Sequence, residues 1–307
     1  MRTVIRALAH RPVLAAVLGA LTIAFSAIFV ELADVTPATA AIFRCAYALP
    51  PLALLGWLEQ QRYGPRARGQ ARLAWIAGAF FAADLVLWHH AIEQVGAGLA
   101  TVLGNTQVVF VPIAAWLFLG ERPGGRVAAS VPVVLIGVVL ISGVVGEGAF
   151  GRDPLLGVLF GLGTGIAYAG FLLFQRRANQ DHRRPAGPLF DATLSAAVCS
   201  VLIGLPLGEV NLVPSWPSHF WLLLLALGVQ VVGWLLISIS LPRLPAAITS
   251  VVLTLQPVGS VLLGIWILSE APSELQLLGV GFIIAGLLMV TLRVRPHRWR
   301  RAQPEVG

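Results

Sequence analysis

A chain of 307 residues in which 57% of side chains are apolar and 11% are charged, with a mean hydropathy of +0.84, carries more apolar surface than a core of that size can hide. That excludes a soluble globule and leaves the lipid bilayer as the solvent. The net charge of +7 comes from arginine alone, and because those arginines are spread over loops on one side of the apolar runs, the charge points to membrane orientation and against a nucleic-acid partner.

A membrane-crossing helix needs about 20 mostly apolar residues. In chain order such runs fall near 13–31, 37–57, 73–92, 97–118, 127–145, 154–175, 187–207, 218–240, 246–268 and 274–292. The expected fold is therefore all-α and integral to the membrane, with ten transmembrane helices joined by short loops. A β-barrel is excluded because its strands would alternate in segments of about ten residues. The first run, followed by Ala38-Thr39-Ala40, bears some likeness to a secretory signal. Its apolar stretch is longer than a signal core, and removing it would spoil the charge pattern, so it is read as a helix. Pro50 and Pro51 are expected to break the second run toward its inner end. Cys45 and Cys199 both lie inside apolar runs, which offers neither a disulfide framework nor a CxxC site. Apart from Arg152 and the intrahelical Arg44, the arginines fall on one side when loops are numbered alternately. Both termini are then cytoplasmic.

The stretch from Ala97 to Pro123 returns 149 residues later, without a gap, as Ala246 to Pro272. Val102 falls on Val251, Gln107 on Gln256, Glu121 on Glu270 and Pro123 on Pro272, while Thr101/Ser250 and Asn105/Thr254 keep their polarity. Gln, Glu and Pro are scarce in lipid-soluble helices, so the match marks a duplication, with units 1–150 and 151–307 of five helices each. Five is odd, so the second copy enters the membrane with opposite polarity. Inverted repeats of this kind belong to secondary transporters, whose halves rock about a site at mid-depth. Gly157, Gly161 and Gly165 in the sixth run, and Gly228 and Gly233 in the eighth, are spaced for close helix packing. Pro112 and Pro257 are expected to kink matching helices, and kinked helices near mid-membrane often border a cavity.

Ionisable groups inside a membrane helix are costly and mark function by default. Arg44 and Asp84 are the two clear cases, and with Asn105 they fall about two helical turns below the outer boundary. Asp84 is expected to couple transport or meet a substrate amine, and Arg44 to meet a carboxylate or pair with Asp84. Phe81, Asp84 and Trp88 share a helix face. Thr101 and Asn105, four apart, and their copies Ser250 and Thr254 give a polar stripe to matching helices. Gln230 and Trp234 in the eighth run and Tyr168 in the sixth complete the expected substrate-binding set. Gln107 and Gln256 are expected to join neighbouring helices, and Glu121 and Glu270 to cap or gate through arginine contacts. His89, His90 and Glu93 form one outer cluster that a membrane-embedded enzyme or lipid-handling protein could use, but adjacent histidines diverge by about 100° on a helix, which speaks against a metal. No GxxxxGK[ST], HExxH or GxSxG pattern occurs in the sequence, so neither an ATP-driven pump nor a common hydrolase is expected and no cofactor is implied.

The words Asp84-Leu85-Val86-Leu87-Trp88-His89, Ala100-Thr101-Val102-Leu103-Gly104-Asn105, Leu119-Gly120-Glu121-Arg122, Gln230-Val231-Val232-Gly233-Trp234, Leu244-Pro245-Ala246-Ala247 and Leu255-Gln256-Pro257 resemble the EamA-type transporters of the drug/metabolite transporter superfamily. Arg44 looks like the arginine those proteins often carry in their second helix. The resemblance spans essentially the whole chain and implies movement of small metabolites, commonly amino acids or their relatives, often outward across a bacterial inner membrane. The first copy departs from the pattern, with Val108 where the second keeps Pro257 and with Pro112 four residues later. The expected partners are a small-molecule substrate and the lipid bilayer, with a homodimer allowed.

Overall fold

A computed structural model describes residues 11–111, 113, 124–179, 181, 183–240, 252–253 and 255–291. The regular structure among them is helical, with no strand. The first run is a bent pair, α1 (Pro12–Ala24) and α2 (Ser26–Ala33), and the second is α3 (Pro37–Tyr63). The third and the start of the fourth form α4 (Arg68–Gly104). There follow α5 (Gly125–Ile141), α6 (Pro154–Ala178), α7 (Ala186–Leu207), α8 (Trp216–Leu224), a π-helical stretch Leu225–Gly233, α9 (Trp234–Ser240), α10 (Leu255–Ile267) and α11 (Glu274–Thr291). Proline opens the first turn of α1, α3, α6 and α8, where its missing N–H would have had no partner and its fixed φ suits the helix.

Among the described residues, six stretches are long and apolar enough to cross a bilayer: Pro12–Ala33, Pro37–Tyr63, Arg68–Val111, Pro154–Ala178, Ala186–Leu207 and Trp216–Ser240. Ala128–Ile141, Leu255–Ile267 and Glu274–Met289 are shorter apolar helices. The 44 residues of Arg68–Val111 would run to about 66 Å as one rod, twice the hydrocarbon thickness. The segment turns instead at Gly96, whose φ of 83° and ψ of 167° lie in a region that only glycine occupies at low cost. A Cβ there would meet Glu270 Oε1 at 2.6 Å and Phe150 Cε1 at 2.9 Å.

Helix α3 runs unbroken through Pro50 and Pro51 to Tyr63, which corrects the expected break. Two lost N–H donors leave two carbonyls short of a partner, but a break in hydrocarbon would strand several more backbone groups, so continuity is the lesser cost. Along α6, Gly157, Gly161 and Gly165 let α4 and the residues after it approach: added Cβ atoms would sit 3.1 Å from Gln94 Cβ, 2.5 Å from Leu103 Cβ and 2.5 Å from Thr106 Oγ1. Of the eighth-run pair, Gly233 abuts Ile23, but Gly228 has nothing within 4 Å among the described residues.

Two helix pairs pack antiparallel. Glu59, near the end of α3, accepts from Ala186 N (3.0 Å) and Gly187 N (2.9 Å) at the start of α7. Glu209, just past α7, accepts from Ala38 N (3.3 Å) at the start of α3. The two helices therefore lie antiparallel, each carrying the carboxylate that caps the other. In α5 and α11, Gly137 faces Ile283 while Gly286 faces Val134 and Ser130, again an antiparallel pair.

Candidate functional site

Arg44 and Asp84 share a cavity of about 70 Å³ with Ser26, Trp88, Thr101, Asn105, Thr164, Tyr168, Trp234 and Gln256. That volume holds roughly five water-sized bodies. Arg44 is 4% exposed and Asp84 7%. The guanidinium donates from Nε to Gln230 Oε1 (3.0 Å) and from Nη1 to Ser26 Oγ (3.1 Å). It also stands 5.6 Å from the Phe81 ring centre and 6.0 Å from that of Trp88. The direct Arg44–Asp84 ion pair is absent among the described residues: Gln230 and Ser26 take two of the five guanidinium N–H donors and hold the side chain in place. Gln230 is fully buried and donates onward from Nε2 to Thr193 Oγ1 at 3.2 Å, so it orients Arg44 from behind.

Polar stripe and aromatic wall meet at this cavity. Thr101 Oγ1 donates to Ala97 O (2.8 Å) and Asn105 Nδ2 to Thr101 O (2.8 Å), which turns both side chains onto their own helix. Trp234 stands nearly perpendicular to Tyr168 and Phe171, with ring centres 6.2 and 5.4 Å apart, and edge-on to Phe81 at 6.2 Å. Such T-shaped stacks fix the wall without filling the centre. Gln256, expected to join helices, lines the cavity instead, because the turn of α10 that carries it faces α1 and α4. Gln107 is buried, its backbone close beside Gly165 of α6. Ser250, Thr254 and Glu121 lie outside the described residues.

Glu270 is a backbone clamp: its carboxylate accepts from Ala97 N and from Gly98 N (3.1 Å), capping the helix that restarts after Gly96. The expected arginine contact is replaced by these two N–H groups, which a helix start leaves unpaired. Burial pushes the Glu270 carboxyl above the usual carboxylate range, against the pull of both hydrogen bonds.

The outer histidines diverge. His89 Nδ1 bonds Pro37 O (2.9 Å), while His90 Nε2 lies 3.1 Å from Glu209 Oε1 and its Nδ1 3.5 Å from Glu93 Oε2. They tie α4 to the start of α3 and to the segment after α7. Thr164, Ser26 and Ile23 are cavity residues that sequence reasoning missed. The only signal for Thr164 was its four-residue spacing from Tyr168, and a lone threonine in a helix carries little weight.

The chain matches the EamA-like transporter family twice, over residues 10–143 and 155–292. It is 29% identical to the threonine/homoserine exporter RhtA of Escherichia coli (strain K12) over 219 residues, covering 68% of this chain and 67% of that one. It is 28% identical, over the same shares, to the protein of that name from Salmonella typhimurium (strain SL1344). An uncharacterised transporter of Clostridium kluyveri is 26% identical over 204 residues, 65% of each chain. A solved crystal structure, 18% identical, superposes with a TM-score of 0.60 over 92% of this chain and 97% of its own, a likeness of fold. With both copies matched and a multi-pass apolar fold around them, this chain belongs to the EamA-like transporter family.

Proposed function

We propose that the protein is a secondary transporter that exports small zwitterionic metabolites, amino acids or close relatives, across a bacterial inner membrane by alternating access. The observation that carries this reading is the pairing of a buried cation and a buried acid on one small aromatic-walled cavity: Arg44 suits a carboxylate and Asp84 an ammonium. The RhtA relatives are named for exporting threonine and homoserine, both zwitterions. Residues 1–150 and 151–307 act as inverted five-helix copies, supported by the reciprocal glutamate caps of α3 and α7 and the antiparallel packing of α5 on α11. The arginine-rich loops place both termini in the cytoplasm.

On this reading Asn105, Thr101 and Gln256 complete the polar lining, Trp88, Tyr168 and Trp234 set its shape, and Gln230 positions Arg44. Ser250 and Thr254 join the lining from the second copy, while Gln107, Glu121 and Glu270 are gating or structural. Asp84 is the coupling group, giving up its hold on a proton or on the substrate ammonium as the cavity changes sides. Asp84→Asn in reconstituted protein is expected to cut substrate exchange at least tenfold and to flatten its dependence on pH. Exchange at the wild-type rate with the wild-type pH profile would remove Asp84 from that role.

A further inference from the structure

A threonine hydroxyl inside a helix ordinarily donates to the carbonyl four residues back. Thr22 and Thr101 do so, to Leu18 O and Ala97 O. Thr164 does not: its Oγ1 is buried and has no hydrogen-bond partner among the described residues, in a residue 2% exposed. The indole Nε1 of Trp234 is likewise buried without an acceptor among the described residues. Both residues line the cavity that holds Arg44 and Asp84. Glycine at 104 makes the room, since a Cβ there would press on Thr164 Cγ2 at 3.0 Å and on Trp88 Cδ1 at 3.7 Å. Unpaired buried polar groups are expensive and persist in native structures for a reason, such as a partner that arrives with the ligand.

We propose that Thr164 and Trp234 form a side-chain subsite that reads an oxygen on the substrate, so that the carrier prefers hydroxyl-bearing small amino acids to their aliphatic isosteres. This rests on the zwitterion reading above, with Arg44 and Asp84 holding the common backbone of the substrate. The indole offers only a donor, and the threonine hydroxyl can donate or accept. A substrate hydroxyl is the complement of that pair: it accepts from the indole and exchanges a hydrogen bond with the threonine. A methyl group in the same place leaves both buried protein groups unpaired, and polar sites discriminate against such analogues more strongly than apolar sites reject an extra hydroxyl.

The test is calorimetric titration of the purified full chain with L-serine against L-alanine, and L-threonine against L-valine, at one pH. The wild type is expected to bind the hydroxyl member of each pair about tenfold more tightly. Thr164→Val, nearly isosteric, and Trp234→Phe, which keeps the ring wall, are each expected to reduce that ratio at least threefold, while Thr164→Ser keeps it. A merely structural role would weaken both members of a pair together and leave the ratio unchanged in both variants, overturning the subsite. Equal binding within both pairs by the wild type overturns the subsite and leaves the zwitterion site standing. Binding of none of the four amino acids overturns both.

Discussion

A guanidinium survives in the hydrocarbon layer only where fixed polar groups replace the water it has lost. Arg44 has Gln230 and Ser26 for that purpose and two aromatic faces beside it. Glu270 solves the same problem at the outer turn by accepting two backbone N–H bonds. Glu270→Ala is expected to cost about 0.5–2 kcal/mol, the range for a lost helix cap, read as a lower Tm of the purified protein. Because burial raises the Glu270 carboxyl above its usual value of 4.5, its contribution to stability is fully present below that value and is lost as pH rises through the raised one. Glu270→Gln is expected to flatten this part of the stability profile between acid and neutral pH, and parallel Tm curves for the two proteins would contradict it. Arg44 and Asp84 were visible as candidates in the sequence because a charge inside an apolar run is costly, and both line one cavity. Ser26, Thr164 and Gln256 were not, since such residues bond neighbouring helices as readily as ligands and only the packing decides between them.

Among the elements, the turn at Gly96 shows why run boundaries are harder to read than runs. Composition separates the third run from the fourth, yet nothing in the letters says that helical hydrogen bonding closes up to within a residue of a φ of 83°. Gly96→Ala is expected to cost about 1–3 kcal/mol in backbone strain alone, with the 2.6 Å contact on Glu270 adding to it. The Tm should fall by roughly 2–4 °C for each kcal/mol, and an unchanged Tm would mean that the turn conformation is wrong. The continuity of α3 through two prolines was illegible for the opposite reason. Proline rules are written for water, which satisfies a freed carbonyl, whereas hydrocarbon penalises every further break. The α6 glycines were readable, because three small residues at fixed spacing are what a close backbone crossing requires, and Gly161 and Gly165 each sit against α4 or the turn after it.

For the molecule as a whole, the 149-residue repeat carries more than a family resemblance. Glu59 and Glu209 cap each other's helices from opposite ends, and on the proposed reading each inverted copy finishes the other's structure while the cavity between them opens to either side with little change inside each. A carrier of this kind binds on one side before releasing on the other, so flux in one direction is driven by substrate returning in the other. The decisive measurement is counterflow in liposomes containing the purified protein and preloaded with unlabelled L-serine. Labelled serine outside should accumulate transiently above its equilibrium level, saturate with concentration, and lose at least nine-tenths of its rate in Arg44→Lys, whose ammonium lacks the planar fork. Flux that rises linearly without overshoot, or counterflow that Arg44→Lys leaves intact, would contradict a carrier built around this buried charge pair.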